Sequence, residues 1–265
     1  MNQKALEIGL TNTHFETPHG LDSDEHYTTA YELALLSNYA LQNKTFSKIV
    51  GTKEYTITIN GSPKQLSNTN ELLGNLNGVY GIKTGFTNGA NRCLVTACKR
   101  GNIDIICVVL GADTKKFRTQ DSIKLINYTF DNFKSINILE KINNNFNTWK
   151  TENINKIKIN KSISNNINFK IEPSSNCPIS NENKNIPIRS DLIDSININI
   201  DCPMYFEAPV PINSKVGTIN ITISDYCSYE YNIYCSTDLR RKKWNNYLLN
   251  LFKNYSNILN TQYFL

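Results

Sequence analysis

Gly81-Ile82-Lys83-Thr84-Gly85-Phe86 is the stretch on which the reading of this chain turns. It follows a turn-rich lead-in, Asn75-Leu76-Asn77-Gly78, and is itself followed by two apolar runs. These are Arg92-Cys93-Leu94-Val95-Thr96-Ala97 and Ile103-Asp104-Ile105-Ile106-Cys107-Val108-Val109-Leu110, joined by Arg100-Gly101-Asn102. Short runs rich in Val and Ile, bounded by Gly and Asn, read as strands joined by tight turns. Three consecutive strands of an antiparallel sheet are therefore expected here.

Working outward, residues 119–133 carry Ile123, Ile126, Phe130 and Phe133 at helical spacing. Upstream, Thr29 and Glu32 have the spacing of a capping box, and Ala30, Leu33, Ala34, Leu36 and Ala40 supply an apolar face behind it. Tyr55–Asn60 alternates like a strand and Asn60-Gly61 turns it. Residues 11–26 form a polar loop punctuated by Pro18 and Gly20. Residues 2–8 read as the end of an amphipathic helix with Gly9 as its stop. The result is an α+β arrangement, helices against an antiparallel sheet, over residues 1–135.

From about residue 136 the character changes. Ile154–Ile159, Ile196–Ile200 and Val216–Ile223 alternate apolar and polar, separated by Pro, Asn and Ser clusters. The Asn/Ile/Lys-rich stretch 136–169 reads as compositional bias, with no helix of length expected before 238. Residues 138–236 are accordingly read as a small all-β, sandwich-like domain. Residues 238–265 place Trp244, Tyr247, Leu248, Leu251, Phe252 and Tyr255 on one stripe behind Arg240-Arg241-Lys242-Lys243. That pattern fits an amphipathic helix, either on a membrane surface or docked on protein.

Composition narrows the class. Of 265 residues, 40% are hydrophobic and 10% aromatic, enough for a real core, and the net charge of +5 is spread thinly apart from residues 240–243. Nucleic acid is therefore not an expected partner. The first residues lack the basic and apolar regions of a signal peptide, and no apolar run approaches the ~20 residues of a membrane span. Taken alone, the chain reads as cytoplasmic. Its seven cysteines are an odd number. Cys93, Cys98 and Cys107 read as small core side chains, while Cys227 and Cys235 flank a hairpin-like segment and are candidates to pair.

The chemistry suggested by the central triplet is anion recognition. Lys83 offers a fixed charge and three donors, and Thr84 adds a hydroxyl. Gly85 leaves no side chain where a ligand backbone must lie along the strand. The backbone N–H of Phe86 is a candidate oxyanion-hole donor, a role worth ~3 kcal/mol in a transition state.

Several blocks in order carry a resemblance. They are Lys4-Ala5 with Gly9-Leu10, Thr13-His14-Phe15, Pro18-His19-Gly20-Leu21, Gly81–Thr87, Cys93-Leu94-Val95 with Ala97, Val108–Ala112 and then Arg118. Over residues 1–135 the chain resembles the serine-type D-alanyl-D-alanine carboxypeptidases, the low-molecular-mass penicillin-binding proteins of peptidase family S11. Ala208-Pro209-Val210 and Lys215-Val216-Gly217 look, more loosely, like that family's C-terminal domain.

The resemblance implies the C-terminal part of a penicillin-binding, β-lactamase-like domain. It implies hydrolysis of the D-Ala-D-Ala terminus of peptidoglycan stem peptides through a serine acyl-enzyme, with β-lactams as ligands of a complete site. Lys83, Thr84 and Gly85 are then substrate-binding residues, and Arg118 helps to hold the terminal carboxylate, a role suited to a guanidinium. The alternative for Arg118 is a solvated residue opening the helix at 119. No cofactor and no metal are implied, and the expected location is the outer face of the cell membrane or the wall.

The family's Ser-x-x-Lys and Ser-x-Asn motifs lie upstream of the part that matches. No serine here has a lysine three residues on. Ser135-Ile136-Asn137 and Ser195-Ile196-Asn197 fall on the wrong side of the triplet. The expectation is a fragment carrying the substrate-binding strand without its nucleophile, inactive alone. The alternative from another class is an inert module associated with the cell envelope. A metal site built from His14, His19 and His26 with Asp22, Asp24 and Glu25 matches no ligand spacing. A class A β-lactamase shares the triplet but lacks the added β domain and the basic tail.

Overall fold

In a computed structural model the described residues are 1–248. The chain divides into two compact units, the first Met1–Lys134 and the second from Ser135 on. The stripe assigned to 238–265 lies, beyond Leu248, outside the described residues.

The first unit opens with α1 (Asn2–Glu7), closed by Gly9 at φ +82°, followed by the polar loop, α2 (Ala30–Leu41) and α3 (Lys44–Val50). A hairpin of β1 (Glu54–Ile59) and β2 (Ser62–Ser67) turns at Asn60-Gly61, both at positive φ as its tight turn requires. Next come β3 (Val79–Thr87), β4 (Asn91–Arg100) and β5 (Ile103–Ala112), an antiparallel sheet in the order β3-β4-β5. Then α4 (Lys115–Asn132) closes the unit. This is the α+β arrangement the sequence reading expects.

Alternation along β4 and β5 gives the sheet two apolar faces. Leu94, Cys98, Ile105 and Cys107 meet Ile123, Ile126 and Phe130 of α4. Val95, Ala97, Ile106 and Val108, with Ile82, meet Leu41, Phe46 and Val50 of α2 and α3. Gly78 is required by its surroundings. It sits at φ +86°, and a Cβ there would come 2.3 Å from the Lys99 carbonyl oxygen, which accounts for the glycine just before β3.

Two local expectations shift. Thr29 does cap α2, its hydroxyl accepting the Glu32 N–H at 3.2 Å. The Glu32 carboxylate, however, accepts from the Asn12 N–H (2.8 Å) and the Thr13 hydroxyl instead of closing the box. Glu32 and Ser37 are consequently the buried residues of α2, and its leucines are half-buried. Helix α4 also starts before 119, because Thr114 accepts from the Phe117 N–H (3.1 Å) and sets the first turn. Arg118 thus lies within the helix and is buried, not solvated.

The chain passes through β6 (Phe133–Asn137) into α5 (Ile138–Asn153), a helix where the sequence reading placed none. Asn137 caps it through the Glu140 N–H, and Ile138, Ile142, Phe146 and Trp149 form the stripe that seats it. β7 (Lys158–Asn160), β8 (Phe169–Pro173), β9 (Asn185–Arg189), β10 (Ile196–Asp201), β11 (Tyr205–Glu207), β12 (Lys215–Ile223) and β13 (Cys227–Cys235) follow. The main sheet is antiparallel, ordered β10-β12-β13-β8, with β7 and β11 as a separate parallel pair and β6 and β9 as another pair. Ile219, Ile221, Tyr231 and Ile233 of this sheet pack with Ile142 and Phe146 of α5, and Trp149 stacks on Phe146 at 5.9 Å.

All seven cysteines are free. Cys227 and Cys235 begin and end the same strand, so the length of β13, at about 3.4 Å per residue, keeps them from pairing. Cys98 and Cys107 are buried as expected, whereas Cys93 is only half-buried.

Candidate active site

In the first unit an open cavity of about 940 Å³ is lined by β3, the start of β4, the loop around His19–Thr28 and the first turn of α4. Lys83, Thr84, Gly85, Phe86 and Arg118, separated by up to 35 positions in sequence, all line it.

β3 presents Lys83 to solvent, and its ammonium donates to the carbonyl of Thr84; no carboxylate among the described residues pairs with it. The Thr84 hydroxyl shares a 2.6 Å hydrogen bond with that of Thr69. Gly85 lies opposite Cys93 in the β3–β4 register, which puts this thiol on the cavity wall. The Phe86 ring is exposed, with the Arg92 guanidinium 3.5 Å above its centre.

Arg118 stands apart from the other cations because it is 2% exposed. Its Nη2 is 3.9 Å from Glu71 Oε2, and both Nε and Nη2 are buried without a hydrogen-bond partner. Glu71 is itself engaged, accepting from the Thr119 hydroxyl at 3.0 Å with Lys115 Nζ 3.7 Å away. A buried guanidinium with unmet N–H groups is costly unless an anion completes it. With Lys83, Arg92 and Lys115 lining the same cavity, it is suited to a carboxylate.

Further lining residues were not identified from sequence. Asp22 accepts from the Gly89 N–H at 3.0 Å, tying the 19–28 loop to the β3–β4 turn across 67 positions. Hydrogen bonds from Thr87 first, then Gly89, hold its carboxyl below the usual range. A side chain on Gly89 would meet that carboxylate at 3.1 Å. The three histidines organise this loop. His14 Nδ1 lies 2.6 Å from the Glu25 carbonyl, His19 Nδ1 accepts the Leu21 N–H, and His26 meets Phe15 edge-on at 5.7 Å. His26 also reaches the cavity. Nothing in the local sequence marks Asp22, Thr69, His26 or Cys93 as wall residues, because each contact is made across the fold.

The structure is similar to those of penicillin binding protein 5 from Haemophilus influenzae (TM-score 0.59, 23% identity, 91% of this chain, 64% of that one) and the carboxypeptidase DacD from Francisella tularensis (TM-score 0.56, 22% identity, 91% and 67%). The chain therefore shares the fold of these two proteins over about two thirds of their lengths. The family described as D-alanyl-D-alanine carboxypeptidase, peptidase S11, matches residues 1–114. Among similar relatives are the D-alanyl-D-alanine carboxypeptidase DacF of Bacillus subtilis (39% identical over 136 residues, 51% of this chain and 35% of the relative) and that of Streptomyces strain K15 (38% over 136 residues, 49% and 47%). The chain thus spans between about a third and a half of the length of these curated relatives.

Proposed function

We propose that the first unit is the substrate-cradling part of a serine-type D-alanyl-D-alanine carboxypeptidase acting on peptidoglycan stem peptides. One observation carries the reading: Arg118, buried with two unmet donors, lines the same cavity as the unpaired Lys83. In this reading the terminal carboxylate of the peptide completes the Arg118 hydrogen bonds and meets Lys83 and the Thr84 hydroxyl. The peptide backbone runs along β3 at Gly85, and the Phe86 N–H faces the carbonyl of the scissile bond. A serine hydroxyl attacks that carbonyl, D-alanine departs, and water releases the acyl group. Such substrates and β-lactam ligands place the protein at the outer face of the cell membrane or in the wall, with residues 1–135 as the peptidase unit and 138–236 as a separate domain.

No serine lines the cavity among the described residues, and none in the sequence precedes a lysine by three positions. These facts favour a chain that binds the peptide terminus reversibly but forms no acyl bond on its own. Incubation with a fluorescent penicillin is expected to leave the purified chain unlabelled on a denaturing gel. A peptide ending in D-Ala-D-Ala is expected to bind, and its C-terminal amide is not. Covalent labelling would overturn the inactive reading, and equal affinity for acid and amide would overturn the carboxylate site. In a longer protein that supplies Ser-x-x-Lys, Lys83→Ala is expected to abolish penicillin labelling, and unchanged acylation would remove Lys83 from the site.

A further inference from the structure

A second cavity, of about 830 Å³, lies in the first unit between α3 and the β1–β2 hairpin and shares no lining residue with the groove beside β3. Its apolar wall is Ile49, Tyr55 and Leu66, which are 65%, 65% and 42% exposed. Tyr55 and Leu66 face one another in the hairpin register, so both project from the same side of the ribbon. Lys44, Lys48 and Lys53 line the same cavity. None of the three ammonium groups has an ion-pair or hydrogen-bond partner among the described residues. Over residues 43–68 four lysines stand against one acid, Glu54, whose carboxylate is already held by Gln65 Nε2 at 2.8 Å.

Exposed apolar side chains in a concavity of ligand size, ringed by unpaired cations, are complementary to one kind of molecule. We infer that this cavity binds an amphiphilic anion, an alkyl or aryl body against Ile49, Tyr55 and Leu66 with an acidic head among Lys44, Lys48 and Lys53. Lysine suits that head because its flexible stem brings a point charge to a phosphate or carboxylate without a fixed geometry. A purely apolar ligand would leave the cations unused, and a small inorganic anion would leave the apolar wall in water. The ligand is either a free amphiphile or the headgroup region of an anionic lipid, and the same residues would meet both.

The test is titration of the full chain, followed by NMR, with dodecyl phosphate below its micellar concentration, dodecanol and inorganic phosphate. Dodecyl phosphate is expected to bind, and the other two at least tenfold more weakly. Lys44→Gln/Lys48→Gln/Lys53→Gln is expected to weaken binding about tenfold, as removal of three exposed charge contacts would. Tyr55→Ser/Leu66→Ser is expected to weaken it at least tenfold, because both side chains form the apolar wall. All five positions are exposed, and retained circular dichroism checks the fold of both variants. Phosphatidylcholine vesicles with and without phosphatidylglycerol then separate the sources. Co-sedimentation that needs the anionic lipid and is lost in both variants identifies a membrane headgroup, and binding of dodecyl phosphate alone identifies a free amphiphile. The inference is overturned if dodecanol binds as well as dodecyl phosphate, if either variant binds like the parent, or if only Arg240→Gln/Arg241→Gln diminishes binding.

Discussion

Replacing Arg118 with methionine sets stability and ligand binding against each other. In the ligand-free protein the guanidinium is 2% exposed, and Nε and Nη2 have no hydrogen-bond partner. Each unmet buried donor costs ~1–3 kcal/mol, whereas a 3.9 Å pair with the half-exposed Glu71 returns only ~0.5 kcal/mol. Methionine keeps most of the apolar stem and removes the unmet donors. The variant is therefore expected to unfold in urea at the parent's midpoint or above it, because the Glu71 carboxylate left behind is half-exposed and keeps Thr119 and Lys115 as partners. Under the proposed function, binding of a peptide ending in D-Ala-D-Ala is expected to move the other way. Losing charge-assisted hydrogen bonds worth ~2–3 kcal/mol lowers affinity roughly 30- to 150-fold. Circular dichroism is the appropriate probe of unfolding, because both tryptophans, Trp149 and Trp244, lie outside the first unit. A loss of several kcal/mol with unchanged affinity would refute the reasoning and make Arg118 a structural partner of Glu71.

Three further expectations concern the scaffold. Burial pushes the Glu32 carboxyl up, but the hydrogen bonds from Thr13 and Asn12 outweigh it and leave it below its ordinary range. Its contribution is thus present above the ordinary carboxylate pKa and lost as pH falls through the folded-state value. Glu32→Gln should flatten the stability profile below pH ~4, and an unchanged acid limb in urea titrations would contradict this. Gly78→Ala forces a Cβ to within 2.3 Å of the Lys99 carbonyl at positive φ, and a loss of about 3 kcal/mol is expected from strain and overlap. Parent-like unfolding would mean the β3–β4 start relaxes freely. Ile142→Ala empties a fully buried site under α5 and should cost ~2–5 kcal/mol. A change below 1 kcal/mol in the second unit's transition would mean that helix α5 contributes little to the core.

The three-stranded sheet was legible because its signals are local: Val- and Ile-rich runs at 92–97 and 103–110, the Asn77-Gly78 lead-in and a glycine turn at 101. Helix α5 was not, although Ile138, Ile142, Phe146 and Trp149 step at three and four. Asn143, Asn144, Asn145 and Asn147 disguise that stripe as compositional bias, and asparagine is a weak helix former. Packing against the main sheet overrides the weak propensity. On the candidate site, the β3 residues could be read directly, since the strand carries them side by side. The burial of Arg118 could not, because it depends on Thr114 starting α4 early and on Glu71 coming from another part of the chain. Asp22 was hidden for the same reason. Its partner Gly89 is remote in sequence, and only the folded sheet edge brings them together.

The shared hydrogen bond between Thr69 and Thr84 has a consequence for selectivity. Two hydroxyls bring two protons, and their mutual contact consumes one, so the pair always keeps one to give. Either oxygen can be the one that gives it, and exchanging the roles needs only rotation about two C–O bonds. The strand edge can thereby satisfy an acceptor arriving at either oxygen without moving a heavy atom. Thr84→Val would remove that freedom while keeping the branched shape.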